Sequence, residues 1–136
     1  MSAAAELQKA LYEALVADVG VSALVDGRVY DNVPEDAEFP YISFGPTDEI
    51  DEEEAVAQQE EHFVQIDVWD RSNARLAPAK RVSDAVKVAL HRAELALPAP
   101  YVVSNLSIPQ KRVFLDRDGV TAHAVLSVRA EIEWPC

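Results

Sequence analysis

The residues of this chain with chemical capacity are its carboxylates, three histidines and a few hydroxyls, and their spacing limits what they can do. Asp48, Glu49, Asp51, Glu52, Glu53 and Glu54 form a nearly unbroken run, with Glu60 and Glu61 close behind. Several oxygen ligands of this kind are what Ca²⁺ takes. A calcium loop also needs alternating ligands and a glycine for its sharp turn, yet no glycine lies between Gly45 and Gly119. The run therefore reads as a solvated arm. His62, His91 and His123 are widely separated: the first begins a strand pattern, the second ends a helical one, and the third lies on the polar side of an alternation. They read as surface or edge histidines, since nothing in their spacing suggests convergence on a metal. Ser43 lacks the flanking G-x-S-x-G pattern of a nucleophile elbow. There is no phosphate loop, dinucleotide fingerprint or Cys/His pair. The one cysteine is Cys136, which leaves no internal disulfide and no cysteine metal cluster. No enzyme, cofactor or metal is expected.

Charge is distributed unevenly. Between Val29 and Asp70 there is no Lys or Arg, but there are fourteen Asp and Glu, more than the whole formal charge of −12. The rest of the chain is close to neutral. Such a confined excess suggests a surface with a role, because charge that only solubilises is spread with both signs mixed. An unpaired carboxylate would lose several kcal/mol, of the order of 5, on leaving water, so the run is expected in a solvated loop or lining a wet channel. The acidity argues against tight binding to nucleic acid, which draws on Lys and Arg, but not against DNA passing nearby.

At 136 residues, with 49% of them hydrophobic and 26% charged, the chain is expected to be a single domain, 1–136, around one core. No apolar stretch approaches the roughly 20 residues of a membrane span, and no secretory signal is expected from the N-terminal residues.

Two helices and several strands must position the arm. Ser2 is a good N-cap, and Leu7, Leu11 and Leu15 with Ala10 and Ala14 predict a helix over 3–18. A short helical piece over 19–25 ends at Gly27 in the left-handed conformation. Arg28 to Asp31 reads as a short strand closed off near Pro34, and Pro40 to Gly45 as a strand entered through proline. His62 to Trp69 alternates, with Val64, Ile66 and Val68 on one side. The acidic segment between these two strands, roughly 15 residues, reads as a long loop. Val82, Val86 and Leu90 predict a helix over 76–93. Tyr101–Ile108, Lys111–Leu115 and the long alternation from Thr121 to Trp134, entered through the turn Asp116-Arg117-Asp118-Gly119, read as a three-strand antiparallel meander. The fold class is α+β: a largely antiparallel sheet flanked by two amphipathic helices, with a long acidic arm between two strands.

The segment Gly27-Arg28-Val29-Tyr30-Asp31-Asn32-Val33-Pro34, followed by Phe39-Pro40-Tyr41-Ile42-Ser43-Phe44-Gly45, resembles the phage tail-completion family, the tail terminators and minor tail proteins of long non-contractile tails and gene transfer agents. The resemblance runs on through Leu11-Tyr12, Val68-Trp69, Leu90, and Asp118-Gly119-x-Thr121-x-His123, covering essentially the whole chain. It implies a sheet flanked by two helices and a structural virion protein that assembles as a ring, commonly a hexamer. It further implies that the ring caps the tail tube, stops its polymerisation and offers the joining surface for the head connector. The partners implied are the chain itself, the tail tube protein and the connector, with DNA passing through and no membrane. The place implied is the head-proximal end of the tail, assembled in the host cytoplasm. The acidic arm would then line the lumen or meet a partner. Two alternatives stand beside this reading: a head-side neck or adaptor protein, and a small acidic binding domain that mimics nucleic acid. Trp69 and Arg129 are candidates for partner contacts or for internal packing, and for Trp69 the core is the favoured reading.

Overall fold

Leu7, Leu11 and Leu15 recur at every fourth residue, and they fasten the first helix, α1 (Ala4–Ala17), to the core, where all three are fully buried. Burying a leucine stabilises the fold by about 1.5–3 kcal/mol, so this stripe outweighs any capping term. The helix begins one residue later than Ser2 predicts. Ala3 occupies the N-cap position, and Ser2 instead accepts from the Ala4 N–H through its hydroxyl at 3.2 Å. Asp18 caps α2 (Val19–Val25) by accepting from the Val21 N–H at 2.9 Å. Asp26 (φ 50°) and Gly27 (φ 77°) both turn left-handed to end it.

The computed structural model describes residues 2–53 and 57–135. The remaining elements are β1 (Val29–Tyr30), β2 (Tyr41–Glu53), β3 (Ala57–Asp70), α3 (Ala77–Leu90), β4 (Val102–Leu115) and β5 (Ala122–Pro135). They form one five-stranded sheet in the order β1-β2-β3-β5-β4, antiparallel except for the short β1–β2 pair. The helices cover one face. Val64, Ile66 and Val68 of β3, and Ala122, Ala124, Leu126, Val128, Ala130, Ile132 and Trp134 of β5, point toward them and are buried, as their alternation predicts. On α3, Val82, Val86 and Leu90 meet that face.

Two expectations are corrected. The acidic segment is not a long loop. β2 continues through Asp48–Glu53 in register with Gln58–Phe63 of β3, so most of the run is paired strand; Glu54 lies outside the described residues. Cross-strand pairing to β3, itself held by β5 along its full length, supports extended backbone despite the poor strand propensity of Asp and Glu. Nor do residues 101–115 make two strands of a meander. They form the single strand β4, whose register against β5 shifts between Ser107 and Gln110, around Pro109. Proline has no N–H to give to the ladder, and a bulge accommodates it without ending the strand.

Candidate functional site

Three side-chain groups and two strand edges carry the chemistry that the sheet assembles. The first lies on the helix-covered face where α1 begins. His62 is fully buried, not at the surface as its position at the head of an alternation suggests, and its Nε2 is 2.8 Å from Oε1 of Glu60. Glu60 is itself only 3% exposed and accepts from the Ala3 N–H at 3.2 Å, while Ser2 donates to Glu49 at 3.0 Å. Burial raises the Glu60 pKa, opposed by the hydrogen bonds from His62 and Ala3. A member of the acidic run thus anchors the N-terminus of α1 and is not solvated. Glu49, Glu60 and His62 bring ligand atoms within 4.8 Å of one another, and among the described residues they are the group able to hold a cation. Their present contacts are hydrogen bonds among themselves and to the start of α1.

The second group stands on the face away from the helices, at the end where β3 finishes. Trp69 stacks on His123 with ring centroids 3.7 Å apart, and Tyr41, Phe39 and Tyr30 continue the aromatic row across β2 and β1. Phe114 closes it on the β4 side, 5.0 Å from the His123 ring. Trp69 donates from Nε1 to the Ser43 hydroxyl at 2.9 Å; Asp67 lies 2.7 Å from His123 Nε2 and accepts from Gln65 at 2.9 Å. Trp69 is therefore half-buried on the outer face and takes no place in the core.

This group explains most of the signature residues. Arg28 donates to the Pro40 carbonyl at 2.9 Å, which ties β1 to the entry of β2. Gly45 is required by space: a Cβ there would lie 2.7 Å from an Asp67 carboxylate oxygen. Asp118 organises the β4–β5 turn by accepting from the Val120 and Thr121 N–H groups at 2.9 and 2.8 Å and from the Thr121 hydroxyl at 2.6 Å, which lowers its pKa to about 2. Gly119 supplies the left-handed residue of that turn (φ 69°). Asp31 and Pro34 sit exposed in the β1–β2 connection, away from these contacts. Asp67 and Gln65, which complete the cluster with Ser43, carry no signal in the sequence; only the register of β3 against β2 and β5 brings them together.

The third group is the far end of the sheet. Asp48, Glu49, Asp51 and Glu52 are exposed on β2, Glu61 is half-buried on β3, and Glu131 and Glu133 of β5 add to them. Arg129 is the lone base there, donating to Glu61 at 2.7 Å and Glu131 at 2.9 Å; its pKa is raised by the hydrogen bond and charge of Glu61. The open edge of β2 from Thr47 onward and the open edge of β4 flank the sheet, since β1 covers only Ile42 and Ser43.

A helix-covered sheet with an aromatic outer face, an acidic end and two open edges defines a two-layer α+β protein. The model of the family described as tail completion protein gp17 matches residues 9–133. A chain of the virion of a native gene transfer agent particle superposes with a TM-score of 0.89 at 31% identity, over 97% of this chain and 98% of that one. The gp17 protein of bacteriophage SPP1 shares the fold, with a TM-score of 0.56 at 24% identity over 94% and 89% of the two chains. Among curated protein sequences none matches. The chain belongs to the tail completion protein gp17 family, a family of structural tail proteins.

Proposed function

We propose that this protein forms a homo-oligomeric ring, a hexamer in the reading carried by its family, at the head-proximal end of a tail. The ring caps the tail tube, stops its polymerisation and gives the head connector its docking surface, while DNA passes through. The observation that best supports assembly is the sheet itself: both flanking strands keep long stretches of unpaired edge, a liability in a monomer that a neighbouring copy removes. The strong likeness to a virion chain over nearly its full length supports the setting.

The charge fits passage without capture. Seven described surface carboxylates, Asp48, Glu49, Asp51, Glu52, Glu61, Glu131 and Glu133, crowd the hairpin end against the base Arg129, and such a surface repels phosphate. In this reading Glu52, Glu61, Glu131 and Glu133, on the sheet face away from the helices, front the channel.

Light scattering over a concentration series, with negative-stain imaging of the protein alone and mixed with tail tubes, tests the proposal. Rings in solution or on tube ends are expected. A strict monomer that binds connector but never tube would make it a neck adaptor. A strict monomer that competes with DNA for basic proteins would make it a nucleic-acid mimic.

A further inference from the structure

The two open edges of the sheet differ in charge. On β2 the free segment is Thr47–Glu53, beyond the reach of β1. It holds Asp48, Glu49, Asp51, Glu52 and Glu53 and no base. On β4 the edge is already occupied in the middle: the Arg92 N–H donates to the Leu106 carbonyl at 2.9 Å, and the Ile108 N–H donates to Nδ1 of His91 at 2.9 Å. The end of α3 thus plugs that stretch, and the free segment that remains beyond the bulge is Gln110–Leu115. It holds Lys111 and Arg112 and no acid.

The surroundings extend the contrast. Lys80, Asp84 and Lys87 form an i, i+4, i+7 stripe on α3 that His91, its C-cap, continues, and this stripe lies beside β4, because Asp84 contacts Lys111 and His91 contacts Ile108. Asp84 offsets Lys111, but among the described residues Lys80, Lys87 and Arg112 have no ion-pair partner. Each edge also exposes an aliphatic side chain among its charges: Ile50 is 51% exposed on the acidic side and Val88 84% exposed on the basic side. Apolar groups rimmed by charge are the composition of a contact surface, and opposite charges on two different surfaces of one molecule favour a heterologous, ring-forming contact over a two-fold one.

Strand direction permits the same pairing. β2 runs antiparallel to β3, and β4 runs parallel to β3 because both are antiparallel to β5. A copy moved sideways without inversion therefore presents its β2 antiparallel to β4 of its neighbour, with the helix-covered faces on the same side. Within one sheet Thr47–Glu53 is level with the plugged half of β4 and Gln110–Leu115 with the β1-covered end of β2, so the two free segments meet only when the copy also slides along the strands by about six residues, roughly 20 Å, a stagger that a ring with tilted strands accommodates.

We infer that the acidic β2 edge of one copy, Thr47–Glu53, docks on the basic β4 edge of the next, Gln110–Leu115 with Lys87, and extends the sheet from subunit to subunit. The occupant of each edge is a second copy of this chain, and the inference rests on the ring reading above.

Charge reversal separates the two. One variant carries Asp48→Lys, Asp51→Lys and Glu52→Lys, which takes the β2 edge from five negative charges to a net positive one, so that both its edges are positive; the other carries Lys87→Glu and Arg112→Glu, so that both are negative. Circular dichroism checks that each is folded. If either reversal unfolds the chain, Asp48→Asn with Asp51→Asn, or Lys87→Gln with Arg112→Gln, takes its place. Each reversed variant alone is expected to need at least about tenfold more protein to assemble than the wild type, because like charges then face each other at every joint. An equimolar mixture of the two is expected to restore rings of wild-type mass, alternating around an even-numbered circle. The neutral variants are expected to shift assembly in the same direction by a smaller factor. Wild-type-like assembly of either variant alone, or no recovery on mixing, would overturn the edge pairing and leave the ring standing. Failure of the wild type to assemble under any condition would overturn both.

Discussion

Trp69 lies flat on His123 across the β3–β5 pair, with ring centroids 3.7 Å and planes 14° apart. The indole also donates to Ser43 on β2, and the imidazole is 2.7 Å from Asp67, so one stack joins three strands on the sheet face that no helix covers. Truncating such a side chain removes stacked area as well as a hydrogen bond. Trp69→Ala is expected to lower unfolding free energy by about 3 kcal/mol, measured by urea denaturation. Trp69→Phe keeps the stack and loses only the bond to Ser43, at a cost of about 1 kcal/mol. Equal losses for the two variants would mean that the stack contributes little.

Gly45 is set against Asp67 by distance, with no unusual backbone angle involved. A Cβ at position 45 would meet the carboxylate at 2.7 Å and Gln65 at 3.1–3.2 Å. Gly45→Ala must therefore push Asp67 off His123 or open the bulge between Phe44 and Thr47, at about 1–3 kcal/mol. In a background of Asp67→Ala the same change is expected to cost clearly less, and a double-mutant cycle reads the difference. Strict additivity would show that the crowding is relieved elsewhere.

The β4–β5 turn carries a pH dependence of known sign. The hydrogen bonds from Thr121 and Val120 lower the Asp118 pKa from 3.8 to about 2. A carboxyl with a depressed folded pKa contributes stability that is present above its unfolded value and lost as pH falls through the folded one. The thermal midpoint of Asp118→Ala is thus expected to lie below that of wild type at pH 7, and the gap to close between pH 3.8 and about 2. A gap that persists unchanged to pH 2 would assign the role to side-chain shape and not to charge.

The fold was legible where one periodicity dominates. The leucine stripe of α1 and the alternation of β5 leave one buried face each, and the structure buries the residues that the spacing selects. The acidic strand was not legible, because its residues disfavour extended structure and are held there by pairing to distant partners, from Asp48 with Phe63 to Glu53 with Gln58. Glu60 shows the same gap in sharper form. Its burial depends on His62 and on the N-terminus of α1, fifty-seven residues away, and no local pattern announces either contact. The continuity of β4 was hidden by Pro109, which in a sequence reads as a stop and in the sheet is absorbed by a shift of register.

The carboxylates proposed to front the channel can be separated from those at the subunit edge. Glu131 and Glu133 lie on β5, an interior strand, so changing them leaves both open edges untouched. Glu133 accepts from Gln59 at 3.4 Å and Glu131 from Arg129 at 2.9 Å, contacts that glutamine can keep in part. Glu131→Gln with Glu133→Gln is therefore expected to assemble as wild type and give tails of normal length. With less repulsion on passing phosphate, it is also expected to hold DNA more strongly and to deliver it more slowly, most visibly at low salt, where screening is weakest. Particle counts with normal tails, set against the rate of DNA transfer at two ionic strengths, measure this. Unchanged transfer at both would remove these residues from the channel and leave their charge as a guard against self-association of free subunits.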